Sequence, residues 1–157
     1  MPLQQALKKL GWNIKTSSSK EPLLPVEIAA RYPALPVEVS DYLQTFDKYS
    51  NAEESAWFLM RSDFLETAEA GFRWNEYERI ALEAAESEQE RRDIIDFWNV
   101  HFPIALAVGS NYDYLAISLQ ASSFGAVVHG YSPYWFEPTI IALSFSEFLE
   151  QFRVAAE

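Results

Sequence analysis

Apolar residues fall at helical spacing along the earlier part of the chain and at strand spacing along most of the later part. Leu3, Ala6, Leu7 and Leu10 repeat at i, i+3, i+4 and i+7, and Gly11 follows as a left-handed stop, so a short amphipathic helix opens the chain. Lys8 and Lys9 suit the negative end of its dipole. Thr16-Ser-Ser-Ser-Lys-Glu-Pro22 breaks the pattern and reads as a flexible connector. The expected layout is one domain, with an N-terminal helix and connector over 1–22 and a main body over 23–157. Leu24–Tyr32 reads as a second helix ended by Pro33. Pro36 suits the first turn of a third, whose apolar face is Val39, Tyr42, Leu43 and Phe46.

Trp57–Met60 has strand character, and Ser62-Asp63 opens a turn or helix after it. From Trp74 the helical period returns, with Tyr77, Ile80, Ala81 and Ala84 on one side. Ser87-Glu-Gln-Glu90 has capping-box spacing and starts a helix whose Ile94, Ile95, Trp98 and Phe102 face inward until Pro103 stops it. Glu83, Glu86, Glu88, Glu90, Arg91 and Arg92 form its solvated faces. The period then changes. Ile104–Val108 is a continuous apolar run, Gly109-Ser-Asn111 a turn, and Tyr112–Leu119 alternates. Gly125–His129 and Thr139–Leu143 are further strands. Ser144-Phe-Ser-Glu147 repeats the capping-box spacing before a helix with Phe145, Phe148, Leu149 and Phe152 on one face. Links this short between strands favour an antiparallel meander, so the fold class is α+β, a mostly antiparallel sheet packed against helices.

Composition narrows the functional classes. Lys plus Arg total 12 against 23 Asp plus Glu, a formal charge of −11, which repels phosphate backbones and anionic membranes and favours a basic partner. The chain has no cysteine, which excludes disulfides and thiolate chemistry. The first residues lack the apolar stretch of a secretory signal, and no apolar run is long enough to span a bilayer, so the expected compartment is the cytoplasm.

Catalytic patterns are sparse. His101 and His129 stand apart from any H-x-x-H or H-E-x-x-H spacing, and the serines from any G-x-S-x-G elbow. His101 ends a helix, where an imidazolium suits the dipole. No enzyme activity, cofactor or metal is expected. Asp113 shares parity with Leu115, Ile117 and Leu119, which raises a catalytic acid, a ligand-binding group and a turn-former as readings. Its place one residue past the turn favours the last, with Gly109, Asn111 and Asp113 structuring that turn. Tyr112 and Tyr114 share the other face. In Tyr131-Ser-Pro-Tyr-Trp-Phe-Glu-Pro138, three consecutive aromatics cannot all enter one core. Either Trp135 or Phe136 folds back over the sheet, or Tyr134, Trp135, Phe136 and Glu137 join Tyr112 and Tyr114 as partner-binding residues.

Leu35-Pro36 with Tyr42-Leu43 and Phe46, the Tyr-Asp-Tyr turn at 108–114, the Gly125-Ala-Val-Val strand and the closing Ile141-Ala-Leu-Ser-Phe-Ser-Glu-Phe-Leu149 resemble the SUKH superfamily over roughly Val26 to Phe152. That group includes Smi/Knr-type cell-wall synthesis regulators and bacterial immunity proteins. Where members often carry a Gly-Gly-Asp-type turn, Tyr112 precedes Asp113 here, and Ser118 stands where an acidic residue is common. The resemblance implies an α+β fold and binding rather than catalysis. The resulting expectation is an immunity protein that binds and neutralises a cognate toxin, a basic nuclease among the candidates. The alternatives are a regulatory scaffold with no toxin partner, and a small-ligand binder or enzyme using the sheet and Asp113.

Overall fold

The computed structural model describes residues 3–16, 24–53, 55–64, 73–109 and 111–156. Among these, the elements run α1 (Leu3–Lys9), β1 (Asn13–Thr16), α2 (Val26–Arg31), α3 (Val37–Thr45), β2 (Phe46–Ser50) and β3 (Ala56–Phe58). Then come α4 (Glu76–Ala84), α5 (Glu88–Asn99), β4 (His101–Val108), β5 (Tyr112–Ser118), β6 (Val127–Tyr131), β7 (Thr139–Ala142) and α6 (Phe145–Ala156). The seven strands form one sheet in sequence order, and every pairing is antiparallel. The fold is α+β, built on the meander that the short links predict.

The N-terminal segment is built into this sheet rather than appended to it. Gly11 takes φ +84°, its N–H donates to Lys8 O, and Trp12 N–H donates to Leu7 O. Those two bonds are a Schellman closure of α1. The chain then enters β1, which pairs with β2 through Asn13↔Ser50 and Ile14↔Tyr49, while Ala6 and Leu7 bury in the common core. The sequence reading missed both strands. NIKT is too short to show alternation, and Phe46 continued the α3 period although it begins β2. Thr16, the first residue of the expected connector, belongs to β1, and the rest of that connector falls outside the described residues.

Helix α5 ends earlier than its apolar spacing implied. Val100 caps it, His101, Phe102 and Pro103 belong to β4, and Ile95 is 39% exposed. Phe102 and Pro103 pair with Ile117 and Ala116, and the register shifts between Pro103 and Ala105. Proline cannot donate to a ladder, so an irregularity beside it is the expected accommodation. Both capping-box sequences cap their helices. Ser87 and Ser144 accept from the N–H of Glu90 and Glu147, and those two carboxylates accept from the N–H of Glu86 and Leu143, one residue before each cap rather than from the cap itself.

Alternation along β5 divides the molecule. Tyr112, Tyr114 and Ala116 share one face, and the Tyr114 ring meets Trp98 of α5 at 4.9 Å between centroids. Asp113, Leu115 and Ile117 take the opposite face. There Phe58 of β3 packs on Phe148 and Phe152 of α6. Arg31 of α2 forms a two-pronged ion pair with the buried Glu78 of α4, at 2.8 and 2.6 Å, and donates through Nε to Asn99.

Gly130 sits directly across from Tyr114, and a Cβ there would lie 2.4 Å from the Tyr114 ring. The phenol therefore occupies the space that any larger residue needs. Gly130→Ala is expected to cost about 1–3 kcal/mol of stability by overpacking. Urea denaturation checks this, and a loss under half of that range would mean the ring can move aside.

Candidate functional site

Helices α4 and α5 and the 132–136 loop enclose an open apolar groove of about 680 Å³. Helix α5 contributes Glu90, Asp93, Ile94 and Phe97, one i, i+3, i+4, i+7 face. Helix α4 contributes Ile80, Ala81 and Ala84, and the remaining wall is Tyr112 with Ser132, Pro133, Trp135 and Phe136. The groove thus has aromatic and aliphatic sides with two carboxylates on one of its helices.

An aromatic cluster fixes the loop beside this groove. Trp135 is buried, and its ring stacks on Tyr77 of α4 at 4.7 Å and 19°. Its indole N–H donates to Tyr112 O at 2.9 Å, and its own carbonyl accepts the Tyr114 hydroxyl at 2.5 Å. The Tyr77 hydroxyl shares its proton between Ala107 O and Asp113 O, at 2.8 and 2.9 Å. Burial, the first cause in each case, raises the Tyr77 and Tyr114 phenols well above the ordinary tyrosine value, so both remain proton donors. Phe136 meets Phe97 edge-on at 5.0 Å and stays 43% exposed.

The residues expected to bind a partner therefore separate. Tyr112, Trp135 and Phe136 line the groove. Tyr114 is sealed beneath the helices and is unavailable to a partner without rearrangement, and Trp135 is itself largely buried. Tyr134 is exposed but packs on Tyr131, away from the groove, and Glu137 is exposed in the same loop. Of the three consecutive aromatics, Trp135 turns inward while Tyr134 and Phe136 stay exposed. Sequence reasoning missed Asp93 and Phe97, and it assigned Glu90 to a solvated face. The regular spacing of these residues on α5 was the available signal.

Gly109 and Asn111 lie in the exposed β4–β5 turn. Among the described residues, the Asp113 carboxylate bonds across to the neighbouring strand rather than back into that turn. Its Oδ2 is 3.2 Å from His129 Nε2. No group of three or more His, Asp or Glu among the described residues could hold a metal ion, and no described helix is long and apolar enough to cross a membrane. Compared with family models, curated proteins and solved structures, the chain matches none.

His101 begins β4, and its Nδ1 donates to Phe97 O at 2.7 Å while its ring stacks on Phe97 at 4.0 Å. The helix carbonyl favours the charged ring, but burial outweighs it and lowers the pKa below 6.5, contrary to the imidazolium expected from the dipole alone. The unfolded chain therefore binds the extra proton as pH falls through 6.5, so this residue's contribution is complete above that value and is lost below it. His101→Gln is expected to flatten the loss of Tm between about pH 7.5 and about pH 5.5. Thermal melts across that range decide, and parallel slopes for the two proteins would refute the assignment.

Proposed function

We propose that this chain is a protein-binding module of the SUKH type, an immunity protein that acts in the cytoplasm by capturing a basic toxin. The observation that carries this reading is the groove between α4, α5 and the 132–136 loop. It joins Tyr112, Trp135 and Phe136 to the carboxylates of Glu90 and Asp93. Large rigid rings supply contact area at low entropic cost, and they recur as binding anchors where polar groups surround them. The occupant that fits is an apolar side chain flanked by Lys or Arg on a cationic protein. A nuclease surface, basic because it holds phosphates, has that chemistry, and the −11 charge of the chain would accelerate the encounter.

The direct test asks whether a toxin-like protein is encoded beside this gene and, where one is, co-expresses the two. Protection of the host supports the reading. Capture of that protein without protection favours the regulatory-scaffold alternative, and neither capture nor protection removes the proposal. Phe136→Ala and Asp93→Lys are each expected to weaken the complex by about tenfold or more, equivalent to about 1.4 kcal/mol, with Tm unchanged. Titration calorimetry at two salt concentrations measures both effects. The association rate should fall as salt rises, because the rim carboxylates act over about one Debye length.

A further inference from the structure

We infer that the opposite face of the sheet carries a second binding site, for a small planar aromatic molecule bearing N–H donors. A cavity of about 300 Å³ opens there, at the small end of the ~300–1,000 Å³ that ligand pockets span. Its floor owes its depth to three small residues on adjacent strands. Ala56 pairs with Ala107, and Ala105 pairs with Phe58 on the same two strands. Where a β-sheet beneath a helix would ordinarily present branched side chains, these positions present only methyl groups.

Three mutually packed rings form one end of the cavity. Trp12, Phe58 and Phe152 stand 5.5 to 6.2 Å apart between centroids. They belong to the α1–β1 link, β3 and α6, so tertiary packing alone brings them together.

The lining also includes Asp113 and His129, with side chains 37% and 34% exposed. A carboxylate can only accept, so His129 Nε2 donates its proton to Asp113 Oδ2. Asp113 Oδ1 is an acceptor as well. The Asp113 carboxylate therefore brings acceptors to the cavity, and apart from the His129 ring the other side chains that line it are apolar or aromatic. Such a lining selects a flat ring that brings its own donors, an amino- or amidino-substituted aromatic, and rejects carboxylates and phosphates. A charge-assisted bond from an amidinium to a carboxylate is among the stronger neutral-pH contacts available to a molecule of this size.

Benzamidine serves as the probe and benzoate as its acceptor-only counterpart, measured by titration calorimetry and ligand-observed NMR on the full chain. Benzamidine is expected to bind with a dissociation constant in the millimolar range or tighter, and benzoate not to bind. Asp113→Asn should weaken benzamidine by about tenfold, through loss of the charge-assisted bond. Ala107→Leu, which fills the floor and leaves the polar pair intact, should do the same. Thermal melts confirm that each variant is folded, and either one alone decides the matter. Asp93→Asn, on the other face, should leave the affinity unchanged. No binding by the wild type overturns the site. So does equal binding by Asp113→Asn and Ala107→Leu, or an equal loss in Asp93→Asn, which would mark simple attraction to an acidic surface.

Discussion

The Tyr114 phenol lying over Gly130 is the contact on which the rest of this molecule depends. A side chain at position 130 would push the ring off the sheet. With none there, the hydroxyl reaches across β6 and holds the Trp135 carbonyl at 2.5 Å. The Trp135 indole then returns a bond to the backbone of Tyr112. The 132–137 segment is thereby bonded at two points to the strand it must cover. Tyr77 stacks on the fixed indole, which sets the position of α4 against the sheet. Each of these groups is buried or nearly so, and each polar atom named has a partner, as a rigid aromatic cluster requires.

One strand supplies both surfaces of the protein. Even-numbered residues of β5 meet α4 and α5, and odd-numbered residues meet the face covered by α6. A slip of one residue would send Asp113 under the helices and Tyr114 into the alanine-floored cavity. The Tyr114–Gly130 pairing opposes that slip, because no other residue of β6 leaves room for the ring. The same contact thus specifies the register and, through it, the composition of two unrelated sites.

Much of the architecture was legible in the chain. The capping boxes at Ser87 and Ser144, the i, i+3, i+4 faces of α4 and α6 and the alternation of β5 all carry local physics that survives in the fold. The errors share a cause, which is that tertiary pairing overrode local period. Phe46 and Phe102 each continue a helical face by spacing, yet each starts or joins a strand because a partner strand is present. Of the candidate site, Tyr112, Trp135 and Phe136 were visible as aromatics at suitable positions. Tyr114 was placed on the face of Tyr112, but nothing local reveals that the ring is sealed. The Asp113–His129 pair joins residues 16 positions apart on neighbouring strands, so only the β5–β6 register discloses it.

The pattern Tyr134-Trp135-Phe136 explains why a groove exists at all. The segment turns at Tyr134–Glu137, where Glu137 N–H donates to Tyr134 O, and one of the three consecutive side chains enters the core while its neighbours face outward. Trp135 enters, and the space beside it is bounded by Phe136 and by the α5 face that ends in Phe97. Filling that space internally would need a longer residue at Ala81 or Ala84, and both are alanine. The walls themselves are held by α5, whose N-terminus Ser87 caps, by α4 stacked through Tyr77 on Trp135, and by a hydrogen-bonded loop. Under the proposed binding role, such supports mean that little side-chain freedom is lost on association, so the aromatic contacts convert more fully into affinity.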